Sequence, residues 1–148
     1  MVTDRQRRVI SNVLLFVAAF TVAFWVIWYA DRSILASNTR PAYYEFENAF
    51  PLADGWLALA CAVAAITLRQ KKPTALLWLI AAGSAGVYLA GMDILYDLEN
   101  SIWWRSGAGG VIEAIINAVS LVGGIWTMRW SWTQRQTLSA GKQSPGVS

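Results

Sequence analysis

The chain has 148 residues, of which 56% are hydrophobic and 14% charged, with a formal net charge of +3. Soluble domains carry roughly a quarter charged residues, so the composition excludes an ordinary soluble domain and indicates a small membrane protein. Histidine is absent and cysteine occurs once, as Cys61. This excludes imidazole-built zinc and haem sites, histidine-based catalytic pairs, and an internal disulfide or thiol–disulfide centre.

The first apolar run, residues 9–30, follows the basic cluster Arg5, Arg7 and Arg8. A basic start before an apolar run is also the shape of a signal peptide. This run is longer than a typical signal core and ends "VIWYADRS", with bulky Trp28 and Tyr29 at the only exit. It therefore reads as an uncleaved span. The second span covers 50–68, with Pro51 in the first helical turn, where its missing N–H costs nothing. The basic turn "RQKKP" leads to the third span, 74–96, and "SIWWRSGAGG" leads to the fourth, 110–130. The glycines of that loop lack the lysine and Ser/Thr of a phosphate-binding loop and read as a flexible lead-in to the helix. The polar stretch 133–148 reads as a disordered tail. The expected fold is all-α: one domain, residues 1–132, as an antiparallel bundle of four transmembrane helices.

Charge gives the orientation. With the N-terminus inside, nine of the twelve basic residues are cytoplasmic, and only Arg32, Arg40 and Arg105 lie outside. The positive-inside rule then places both termini in the cytoplasm, and a bacterial inner membrane is the expected location. Basic residues clustered at membrane ends are a topology signal, so nucleic acid is not an expected partner. The expected partner is the bilayer. Trp28, Tyr29, Tyr43, Tyr44, Tyr96, Trp103 and Trp104 fall at the outer interface, and Trp78, Trp126, Trp130 and Trp132 at the inner one, as an anchoring belt.

The acids are as asymmetric as the bases. Asp4 alone is inside, while Asp31, Glu45, Glu47, Asp54, Asp93, Asp97, Glu99 and Glu113 are outside. Three of these enter helices at similar depth. Asp54 and Glu113 lie about one turn inside the second and fourth spans, and Asp93 lies about 28 Å along the third. Asp93 and Asp97 share a helix face, as do Glu113 and Asn117. Asp54 and Glu113 suit helix N-termini, but Asp93 and Asp97 sit near a C-terminus, where the dipole opposes them. Their compensation is expected from Arg105, a tyrosine hydroxyl, a bound cation or protonation. The loop acids Asp31, Glu45, Glu47 and Glu99 read as solvated.

Ala82, Gly86 and Ala90 recur every fourth residue, as do Ala58 with Ala62 and Ala60 with Ala64. Small residues at this spacing let membrane helices approach closely, either within the second–third hairpin or in a homo-oligomer. The stretches "FPLADGW" and "GMDILY" resemble those of a group of small bacterial four-span membrane proteins of no established activity. The residues that match are Phe50, Pro51, Ala53, Asp54, Trp56, Gly91, Asp93 and Tyr96. The resemblance implies a four-helix fold and assigns no catalytic residue or cofactor.

The functional expectation is an outward-facing acidic cluster that binds a cation or cationic ligand in ion- or proton-coupled transport. Its ligand-binding residues are Asp54, Asp93, Asp97 and Glu113, supported by Tyr96 and Asn117. Hard oxygen donors suit protons or hard cations, but no spacing matches a calcium loop, so no metal is assigned. Two alternatives are a non-catalytic accessory subunit of a larger membrane complex and a lipid-headgroup enzyme using paired carboxylates. No cofactor is expected.

Overall fold

The computed structural model describes residues 2–140. Four helices are long and apolar enough to cross a membrane, and no strand occurs among the described residues. The long helices are α1 (Asp4–Asp31), α3 (Pro51–Arg69), α4 (Ala75–Asn100) and α6 (Gly107–Thr133). Shorter helices are α2 (Pro41–Glu47), α5 (Ile102–Arg105) and α7 (Arg135–Ser139). Local chemistry fixes several of the ends. Thr3 and Gln6 form a reciprocal capping box on α1. Pro41 and Pro51 occupy the first turns of α2 and α3. Ser101 stops α4 in the left-handed conformation, at φ 60°.

The long helices run antiparallel and pack in chain order: α1 on α3, α3 on α4, α4 on α6. No comparable interface joins α6 back to α1 among the described residues. The four spans therefore form an open arc rather than a closed square, with a cleft between its first and last helices. In lipid the hydrophobic effect does not drive helices together, so close van der Waals packing must hold the arc. Ala60 and Ala64 are fully buried. The α4–α6 contact is tighter still: a methyl at Gly83 would stand 2.8 Å from the Gly124 carbonyl oxygen, and one at Gly124 would stand 2.7 Å from that of Gly83. Gly86 lies against the Ser120 backbone, so the small-residue face of α4 serves the fourth span as well as the hairpin with α3.

Two cores stack along the membrane normal. At the basic end, Ile10 and Leu14 of α1 pack with Leu68, Ala75 and Leu79. At the acidic end, Trp25, Trp28, Tyr43, Phe50, Leu89 and Ile102 form an aromatic core. Tyr43 and Trp28 are 2% and 3% exposed, so they are interior residues and not part of a lipid-facing belt. Tyr29 and Trp104 are exposed, as a belt requires.

The tail departs from its expected disorder. Arg135–Ser139 form α7, and Leu138, at 2% exposed, completes the core of the basic end. The rest of the polar tail, 141–148, lies outside the described residues.

Candidate functional site

The connection between α1 and α3 is not a solvated loop. Pro41 starts α2, whose Tyr43 and Glu47 stand one turn apart on one face. That face turns into the protein at the acidic end. Beneath it lies a cavity of about 280 Å³. Four carboxylates line it: Glu47 of α2, Asp54 of α3, Asp93 of α4 and Glu113 of α6. Asn117, Ser120, Ser37 and Tyr43 add polar atoms. Phe20, Phe24, Leu57, Leu89, Ile112 and Ile116 supply apolar wall.

Neutral donors hold three of the acids in place. The Trp25 indole donates to Asp54 at 2.8 Å, and the Tyr43 hydroxyl donates to Glu113 at 2.7 Å. The hydroxyl of Tyr43 itself accepts from the Ser37 backbone N–H at 3.4 Å. Asp97 accepts from the Trp103 indole and from the Asn117 amide, both at 2.8 Å. No hydrogen bond or ion pair engages the Asp93 carboxylate among the described residues.

Cations are missing from this set. The single ion pair among the described residues is Lys71–Asp4, at the opposite end. Arg40 donates to Asn100, and Arg32 lies over the Tyr44 ring. Arg105, one of the expected compensating groups, is exposed and pairs with none of the acids among the described residues. Yet Glu47, Asp54, Asp93 and Glu113 share one small space. The cavity thus gathers four carboxyl groups in a setting walled largely by apolar groups, with no basic side chain among its lining residues.

Of the six residues expected from sequence, four line the cavity: Asp54, Asp93, Glu113 and Asn117. Two do not. Asp97 is 2% exposed and spends its Oδ2 on Trp103 and Asn117, so it ties α4 to α5 and α6. Its place at a helix C-terminus is compensated by these two N–H donors. Tyr96 stacks on Phe46 with ring centroids 3.8 Å apart, and its hydroxyl is buried without a hydrogen-bond partner. Glu47, expected to be solvated, belongs to the cavity. Its signal was the Tyr43–Glu47 spacing behind a helix-starting Pro41. Trp25 is the other residue that sequence reasoning missed. It lies 29 positions from Asp54, and no local pattern joins them.

No three acids or cysteines converge closely enough to hold a metal ion among the described residues. The carboxylates are spread around the cavity instead. Neither a family model, nor a curated protein, nor a solved structure matches the chain.

Proposed function

We propose that this protein binds an organic cation in its outward-facing acidic cavity and acts in ion- or proton-coupled transport across a bacterial inner membrane, with both termini cytoplasmic. The observation that carries this reading is the cavity beneath α2, with four lining carboxylates and no basic partner among the described residues. Isolated charge at membrane depth is costly and marks a site of function when no internal partner neutralises it. The dispersed acids suit a cation larger than a bare metal ion. Aromatic faces near the carboxylates favour an ammonium or guanidinium carrying apolar groups.

The open arc adds a route. Phe20 and Phe24 of α1 face Ile112 and Ile116 of α6 across the cavity, and Phe20 and Ile112 are 51% and 57% exposed. An amphiphilic cation can place its charge among the acids and its apolar part in this cleft. Asp93, which has no hydrogen-bond donor among the described residues, is left free to meet the cation.

Thermal unfolding of the purified protein against a cation series tests the reading. Benzyltrimethylammonium at about 100 times its Kd is expected to stabilise the fold by about 2.7 kcal/mol. Sodium and calcium chloride at equal ionic strength are expected to do less. Asp93→Asn and Glu113→Gln are expected to remove the increment while remaining folded. Equal responses to all three salts, or an unchanged increment in both variants, would contradict it.

A further inference from the structure

A second cavity lies at the opposite end of the molecule, with the opposite charge. It measures about 510 Å³ and is lined by Asp4, Arg7, Arg8 and Asn12 of α1, Arg69 of α3 and Lys71 of the turn that follows. Four cations face one acid. That acid is already taken, because Lys71 Nζ stands 2.7 Å from Asp4. The remaining three guanidinium groups come from two helices, and two of them are held by neutral partners. Arg7 is 9% exposed and donates to the Leu68 carbonyl at 3.4 Å, while Arg69 donates to the side chain of Asn12. Arg8 is exposed, with no ion-pair partner among the described residues.

The backbone contributes to this arrangement. Lys71 has φ 56°, a left-handed conformation that glycine holds without cost and a lysine does not. The turn thus keeps an ammonium where chain geometry alone would favour glycine. The capping box fixes the start of α1 beside the same cavity, and a helix N-terminus favours negative charge.

We propose that this pocket binds a phosphate oxyanion, supplied by the headgroup of an anionic phospholipid. Guanidinium forks match phosphate oxygens in pairs, and two helices and a turn supply cations around one space. The pocket sits at the ends of two helices long and apolar enough to cross a membrane, and basic pockets between such helices take anionic lipids. Binding there ties α1 to α3 at the end away from the acidic cavity, and it is independent of what that cavity holds.

The test is thermal unfolding of the full chain in three settings: phosphatidylcholine nanodiscs, nanodiscs with one part in five phosphatidylglycerol, and phosphatidylcholine nanodiscs with 10 mM inorganic phosphate. Phosphatidylglycerol is expected to raise the Tm by about 4 °C or more. Arg8→Gln, which removes no internal hydrogen bond, and Arg69→Gln are each expected to lose at least half of that increment. Arg129→Gln, at the same membrane end but outside the pocket, is expected to keep it. An equal increment from inorganic phosphate alone would overturn the lipid as the source. An increment that is absent, or that is the same in all four proteins, would overturn the site.

Discussion

Two aspartates one helical turn apart do different work. Asp97 is sealed in, with two N–H donors on one oxygen, whereas Asp93 lines the cavity and has no donor among the described residues. Removing a buried acceptor leaves its donors without partners, at about 1–3 kcal/mol for each. Asp97→Ala is therefore expected to destabilise the protein by about 2–6 kcal/mol. Asp97→Asn, which keeps one acceptor oxygen, should cost less than half of that. Chemical or thermal unfolding of the two variants beside Asp93→Asn checks this. Asp93→Asn is expected to leave stability unchanged or raised, because it relieves repulsion among the acids. A loss at Asp93→Asn equal to that at Asp97→Ala would show that the two residues have the same structural role. Their spacing put both on one face, but it could not show which one α5 covers. That depends on Trp103, six residues on, after the chain reverses at Ser101.

At the scale of elements, α6 is held on α4 by close backbone approach at glycines. The pair Gly123 and Gly124 separates packing from helix propensity. A methyl at Gly123 meets nothing within 4 Å, while one at Gly124 collides with α4. Gly123→Ala is expected to be neutral or stabilising. Gly124→Ala is expected to cost about 1–3 kcal/mol through overpacking. Equal effects at the two positions, measured as unfolding midpoints, would mean that the α4–α6 approach is not what holds the arc. The four long helices were legible in the sequence because each apolar run exceeds what any soluble strand or loop would carry. Their ends were legible to within a turn or so: span 74–96 extends to Asn100, and span 110–130 begins at Gly107. The order of packing was not legible. Hydropathy reports that a helix faces lipid somewhere and does not report which neighbour it lacks. The seven-residue α2 was hidden for a different reason: it has no span-length pattern, and only the pairing of Tyr43 with Glu47 marks its inward face.

At the scale of the molecule, charge divides the chain into a basic end and an acidic end, and each end has a cavity of its own sign. The open arc leaves the acidic cavity facing both the acidic end of the molecule and the cleft between α1 and α6. The most direct measurement is equilibrium binding of labelled benzyltrimethylammonium to right-side-out membrane vesicles containing the wild type or the double variant Asp93→Asn, Glu113→Gln. The account predicts saturable binding to the wild type from the outside, with one site per chain. It predicts affinity at least about tenfold weaker in the double variant, the loss of roughly 1.4 kcal/mol or more of attraction. Binding that does not saturate, or that is unchanged in the double variant, would contradict it.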